Sequence, residues 1–251
     1  MKEPAARSER KFPCEQCPLM RRKVFRDFNK KELDFVSRLK RGELSVDRSA
    51  TVLAEGTRNP HLYTVLMGWG FRYKLLPDGR RQIVNYVMPG DLIGLQGSLM
   101  GEMQHSIETL SPMTLCVFER SELMSLYREH PDLAYDVTWL ASREECMLDE
   151  NLLSVGRRTA LERLAYLIAF LTNRASAVGM FNGSAPLLPL TQQHLADTLG
   201  LSLVHTNKTV RKLVQKNLIR WRDKGCEVLD LDQLAALSGW DPSDEGIRPF
   251  I

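Results

Sequence analysis

Seven basic side chains, Lys208, Arg211, Lys212, Lys216, Arg220, Arg222 and Lys224, fall between Leu203 and Lys224, where the one acid is Asp223. That local net charge of +6 exceeds the +3 of the whole chain, which sets 34 Lys and Arg against 31 Asp and Glu. Cations concentrated in this way neutralise a polyphosphate backbone and release its counterions. Laid on a helix at about 100° per residue, Val204, Lys208, Arg211 and, at the edge, Asn207 share one side. Thr206, Val210 and Leu213 share the opposite side, and His205, Thr209 and Lys212 lie on a flank. The first group is a reading surface for a major groove. Lysine reaches guanine O6 and N7 or a phosphate, asparagine pairs with adenine, and valine touches a thymine methyl. His205 and Lys212 are placed to meet phosphate. Thr191 and Gln192, at the start of the preceding helix, are grouped with the same surface.

Such a stripe needs a support. Thr191 to Arg211 reads as a helix-turn-helix, with Thr191 capping the first helix and Ser202 the second. Ala196 is small where two crossing helices approach, and Gly200 supplies the positive φ of a short turn. Leu195, Leu199 and Leu201 form the shared core. Beyond it, Leu218–Trp221 and Glu227–Leu229 flank Asp223-Lys224-Gly225 as a β-hairpin, a wing whose arginines face phosphates. A helical hairpin serving protein contacts, its charges merely solvated, is the competing reading of this unit.

Other chemistries find little support. The chain has no GxxxxGK[ST] loop, no HExxH and no Ser/His/Asp or Cys/His pairing in a suitable context. His61, His105, His130, His194 and His205 are scattered over different elements. An enzyme is therefore not expected. Five cysteines, an odd number, fit reduced thiols in the cytoplasm. Cys14-x-x-Cys17 lacks the second pair of a zinc site. The longest apolar run, Leu164–Leu171, is far short of the ~20 residues of a membrane span. The start, Met1 to Ser8, has no apolar segment of a secretory signal. A hydrophobic fraction of 43% and a charged fraction of 26% describe a globular protein, neither disordered nor a disulfide scaffold.

Upstream, residues 41–128 alternate short apolar runs, such as Tyr63–Leu66 and Gln82–Val87, with Gly and Pro. Asp78-Gly79 reads as a type I′ hairpin turn. These features predict an antiparallel β-roll. From Pro131, which suits a helix first turn, Leu133, Val137, Leu140, Leu148, Leu152 and Val155 recur at helical spacing up to Gly156. A helix of that length with an apolar seam predicts a homodimer, with Glu144 as an irregularity. The alternative is a helix lying along its own roll. A second helix is predicted over about Arg158–Arg174, then a polar stretch from Ala177 to Pro189. The expected organisation is a tail with short helices (1–40), the β-roll (41–128), a dimerisation helix (129–156), the winged helix-turn-helix (157–240) and a tail (241–251). The fold class is α+β.

A β-roll, a long helix and a winged helix-turn-helix in that order resemble the Crp/Fnr superfamily of bacterial transcription regulators. The resemblance spans about residues 14 to 240. It rests on Gly68, the Asp78-Gly79 hairpin, Pro89-Gly90-Asp91-Leu92-Ile93-Gly94 and Leu201 to Lys208. It implies a homodimer whose roll senses a signal and repositions paired recognition helices, ~34 Å apart on pseudo-palindromic double-stranded DNA. RNA polymerase is an implied partner and a membrane is not. In cyclic-AMP-binding members an Arg-Ser pair holds the phosphate and a Glu the ribose. The corresponding effector pocket here reads Gly94, Leu95, His105 and Ser106, so cyclic AMP is not expected and the effector stays unknown. Oxygen-sensing members hold an iron–sulfur cluster on four thiolates, three of them spaced C-x₂-C-x₅-C. Cys14, Cys17 and Cys116 match three positions, but Lys23 stands at the remaining one. An iron–sulfur cluster or a redox pair remains open and disfavoured, and no metal site is assigned. The family's recognition helix shows Glu, two residues, then Ser-Arg. Val204, Asn207 and Lys208 replace them, which implies a different half-site. A regulatory or protein-interaction module without specific DNA binding is the second functional reading.

Overall fold

The computed structural model describes residues 12–181, 185–241 and 246–251. They form two compact units. The first draws on residues up to Tyr73, Tyr86–Glu144 and Gly246–Ile251, and the second on Lys74–Asn85 and Glu145–Glu245.

In the first unit a single 3-10 turn, Cys14–Gln16, precedes helix α1, Lys30–Leu39. Asn29 starts α1 with a capping box: the Glu32 N–H donates to Asn29 Oδ1 at 3.0 Å, and the Asn29 N–H to Glu32 Oε2 at 2.8 Å. The strands follow as β1 (Lys40–Val46), β2 (Thr51–Leu53), β3 (His61–Met67), β4 (Gly70–Leu75), β5 (Arg81–Val87) and β6 (Leu92–Ile93). After the short helix α2 (Leu95–Met100) come β7 (Ser106–Thr109) and β8 (Met113–Glu119). One sheet has the order β1-β8-β3-β6 and the other β2-β7-β4-β5. Every pairing described between these strands is antiparallel, such as Leu62 opposite Phe118 and Phe71 opposite Glu108. Leu53, Tyr63, Val65, Val87, Ile93, Met103, Ile107, Met113 and Leu115 pack as one buried cluster of the roll.

The β4–β5 connection departs from the sequence reading. A type I′ turn needs positive φ at both central residues, and Asp78 has none. Pro77, which fixes φ near −65°, instead sits second in a four-residue turn. The Gly79 N–H closes it onto Leu76 O at 2.9 Å, and Gly79 takes φ +85°.

Helix α3 (Leu123–Glu129) leads into α4 (Pro131–Arg157), which passes through Gly156 rather than stopping there. Leu133, Val137 and Leu140, expected in a dimer seam, are buried within their own chain. Val137 shares a small cavity with Leu39, Leu62, Phe118 and Leu126. Asp136 pairs with Arg26, which also reaches Glu32 at 3.0 Å, and Glu144 pairs with Arg72 at 3.0 Å. Helical spacing identifies an apolar face, not what covers it. Leu148, Leu152 and Leu153 stay exposed.

Gly246–Ile251, inside the predicted tail, packs in the first unit. Its Arg248 pairs with Asp91 at 2.9 Å, and Phe250 sits against Phe25 and Phe28.

The second unit holds α5 (Ala160–Ala177), β9 (Leu187–Leu188), α6 (Gln192–Leu199), α7 (Leu203–Gln215), β10 (Ile219–Arg222), β11 (Gly225–Val228) and α8 (Leu231–Ser238). Helix α5 begins with a Thr159–Glu162 capping box and is buried from Leu164 through Thr172. The polar stretch after it contains β9, which pairs with β11 in a sheet of order β10-β11-β9.

Candidate nucleic-acid interface

The helix-turn-helix is assembled from local bonds. The His194 N–H donates to Thr191 Oγ1 at 3.1 Å, and the Thr191 N–H to His194 Nδ1 at 3.2 Å, which fixes the start of α6. Gly200 ends α6 at φ 65°, ψ 33°, a conformation costly for a residue with a Cβ, and its N–H donates to Ala196 O. Ser202 then caps α7, accepting from the His205 N–H at 3.2 Å. The α5 helix braces the pair: Arg163 donates to Leu199 O at 3.2 Å. On α6 itself, Asp197 accepts from Arg81 at 2.8 Å and from Gln193 at 2.6 Å.

With its inner side fixed, α7 presents its outer side. Thr206, Val210 and Leu213 are buried, and Val204, His205, Lys208, Arg211 and Lys212 are exposed. Asn207 lies at the border, half-buried. Val204 is 67% exposed, far beyond what an apolar side chain needs for packing, on the same stripe as two cations. Thr191 is exposed and Gln192 half-buried at the beginning of α6. One flank assignment is corrected. Thr209 is 3% exposed and its hydroxyl donates to His205 O at 2.9 Å. It stands three residues after Thr206 and four before Leu213, so it extends the buried arc.

The wing differs in charge from its sequence reading. In β10 and β11 Arg220 stands opposite Glu227. Glu227 accepts from Arg222 at 2.8 Å and from Arg220 at 3.3 Å. The hydrogen bond from Arg222 holds the Glu227 carboxyl below the usual carboxylate range. Both wing arginines are therefore partly neutralised, whereas no such acid stands among the stripe residues of α7. The hairpin register, countable from its two-residue loop, was the available signal.

The remaining candidate residues lie in the first unit. Gly94, at φ +93°, precedes α2 and Leu95 opens it, while His105 and Ser106 lead into β7, both buried. The Ser106 hydroxyl accepts from the Glu55 N–H at 3.0 Å. Cys14, Cys17 and Cys116 line one cavity of about 20 Å³, together with Thr64, Phe250 and Ile251. Burial pushes the Cys116 thiol up to about 12 against the pull of Lys40, and raises Cys17 as well. Lys40 is itself paired to Glu43 at 2.7 Å. Among the described residues no three His, Cys, Asp or Glu side chains are grouped to hold a metal ion. Lys23, where a third N-terminal thiol would stand, is exposed. Three thiols, with Lys23 at the position of the remaining one, fall one short of the four thiolates that a cluster takes.

Comparison with known proteins agrees with this architecture. Residues 43–130 match the cyclic nucleotide-binding domain family and residues 162–237 the Crp-like helix-turn-helix domain family. The chain is 31% identical to the nitrogen fixation regulation protein FixK of Bradyrhizobium diazoefficiens, over 90% of this chain and 93% of that one. It is 26% identical to the transcriptional activator protein FnrL of Cereibacter sphaeroides, over 93% and 94%. The solved structure of FixK2 from Bradyrhizobium japonicum shares its fold with a TM-score of 0.68 at 24% identity, covering 78% of this chain and 96% of that one.

Proposed function

The chain belongs to the Crp/Fnr family of bacterial transcription regulators and is a DNA-binding regulator, and from that premise we propose that it reads a pseudo-palindromic site as a homodimer, through α7. The observation that carries this reading is the α7 stripe. Val204, Asn207, Lys208 and Arg211 are held outward by a helix whose other side is locked into α5 and α6. Lys208 faces a guanine or a phosphate, Asn207 an adenine edge and Val204 a thymine methyl. His205, Lys212, Thr191 and Gln192 hold the backbone and set the register.

The dimer seam falls on the side of α4 that its own chain leaves bare. Thr138, Ala141, Glu145, Leu148 and Leu152 are all exposed and follow a three-four spacing, the period of a coiled-coil seam. A signal at the roll acts by shifting the packing of paired α4 helices, to the extent of its differential affinity for the two arrangements. RNA polymerase is the further partner, a reading supported by the activator names of several relatives. The cytoplasm is the compartment such a regulator works in.

Selection from random duplexes at near-physiological salt tests the assignment. A two-fold symmetric site is expected, with half-site centres about one helical turn apart. Its half-site differs from the one read by family members with Glu and Ser-Arg at the positions of Val204, Asn207 and Lys208. Recovery of that common half-site, or of no sequence at all, refutes the stripe assignment.

A further inference from the structure

The first unit includes one piece of chain that belongs to none of its helices or strands, and the DNA reading gives it no task. Gly246–Ile251 joins that unit from beyond α8, after the polar sequence Asp241-Pro242-Ser243-Asp244-Glu245. Gly246 and Ile247 are exposed, and the next four residues are buried. The Arg248 N–H donates to Val24 O at 2.8 Å and the Arg26 N–H to Arg248 O at 2.9 Å, a parallel bridge of Arg248 with Phe25. Arg248 Nη2 donates to Asp91 Oδ1 at 2.9 Å and to Gly90 O at 3.2 Å. Phe250 meets Phe25 edge-on at 5.2 Å and Phe28 at 4.8 Å. Ile251 accepts from the Thr64 hydroxyl and closes a cavity walled by Leu19, Val36, Leu66 and Phe118. Gly90 lets Phe25 form this groove, since a Cβ there would lie 2.3 Å from the ring. Main-chain pairing combined with side-chain pockets is how folded domains take up extended peptides.

Two features set this segment apart from a fixed part of the core. Asp91 is not stranded when Arg248 leaves. Its Oδ2 accepts from the Met88 N–H at 2.8 Å, and Arg143 stands 3.9 Å from its Oδ1, so a hydrogen bond and a countercharge stay with the carboxylate. Arg248, in contrast, is incompletely served in the groove. Its Nε is buried with no hydrogen-bond partner among the described residues. The guanidinium has therefore exchanged its hydration for a partial set of bonds, and departure to water restores the full set. Both ends of the ion pair tolerate separation, and the apolar contacts of Phe250 and Ile251 are left to hold the segment down.

We propose that this groove is a peptide-docking surface, occupied reversibly by the chain's own 246–251 segment, and that its external partner is an extended protein segment of the same pattern. That pattern is an arginine two residues before an aromatic and aliphatic pair. Asp91 selects the arginine, Phe25 and Phe28 the aromatic side chain, and the apolar cavity the aliphatic one. Pro249, with φ fixed by its ring, reduces the freedom lost on docking. A short tether holds its end at an effective concentration of ~1 mM. An open state populated at ~0.1–10% then corresponds to a Kd of ~1–100 μM for the same peptide free in solution.

The test is fluorescence anisotropy on the full-length protein, without DNA, using the hexapeptide of residues 246–251 labelled at its glycine end. In the Arg248→Ala/Phe250→Ala variant, whose own segment is disarmed, saturable binding of one peptide per chain is expected, with a Kd of ~1–100 μM. Wild type binds at least ~10-fold more weakly, because its own segment competes. Asp91→Asn in the variant background keeps an acceptor for the Met88 N–H, removes the charge and weakens binding about 10-fold. Hydrogen exchange on the wild type needs no variant. The Arg26 and Arg248 amides are expected to show protection factors of ~10–1,000, the inverse of the open fraction, while the Val65 amide in β3 exchanges far more slowly. Four results overturn the proposal: no saturation by ~1 mM peptide, equal affinity in wild type and variant, equal binding of a peptide with its arginine and phenylalanine replaced by alanine, or an Arg248 amide as protected as that of Val65, which would make the segment a permanent part of the core.

Discussion

Lys208 is the residue on which base reading and backbone holding part company. Its side chain is exposed on the outer stripe of α7, between Val204 and Arg211. If it meets guanine, Lys208→Ala weakens binding to the selected duplex by about 1–3 kcal/mol and relaxes preference at one position. Gel-shift titration on matched and singly mismatched duplexes checks this. Equal weakening on every sequence, with the salt slope lowered by about one, makes it a phosphate contact instead. The placement of Lys208 was legible in the sequence because it depends on the helical period and on nothing distant. Thr209 was misplaced because the buried arc of α7 is wider than the three apolar-side residues chosen for it. A threonine on that arc satisfies its hydroxyl on the backbone four residues back. The Glu227 clamp on the wing arginines escaped for a different reason: charges were counted along the chain, and the strand register brings the acid back across to them.

At the level of elements, α6, its turn and α7 were readable because each end carries its own cap and the turn its own glycine. Strand β9 was not. Two residues inside a polar stretch become a strand only through β11, whose Cys226 and Glu227 pair with Leu188 and Leu187. Gly225 makes that approach possible. It takes φ +140°, and a Cβ there would lie 2.0 Å from Leu188 O. Gly225→Ala is therefore expected to destabilise the second unit by at least ~1–3 kcal/mol, detected as a lower urea midpoint, with β9 released first in hydrogen exchange. An unchanged midpoint and unchanged protection at Leu188 would remove β9 from the wing's support. The α4 helix shows the opposite limit. Its existence and length were clear from periodicity, yet Leu133, Val137 and Leu140 turn to the roll and leave Leu148 and Leu152 bare. Two faces of one helix were competing for one apolar pattern, and only tertiary packing divides them.

For the whole molecule, order along the chain identified roll, long helix and reader, whereas the packing of Gly246–Ile251 against Phe25 and Asp91 had no local signal. A single module on DNA buries ~600–1,000 Å² and is held mostly by phosphate contacts, so under the proposed function specificity comes from presenting the α7 stripe twice. The duplication depends on the bare side of α4, where Leu152 is 72% exposed and carries no weight in the single-chain core. The most direct measurement is titration of the selected duplex against wild-type protein and Leu152→Arg, with sedimentation velocity on the same samples. The variant is expected to run as a monomer with unchanged circular dichroism and to fall toward non-specific affinity, a loss of ~10³-fold or more. A monomeric variant that still holds the duplex with wild-type affinity would contradict the account.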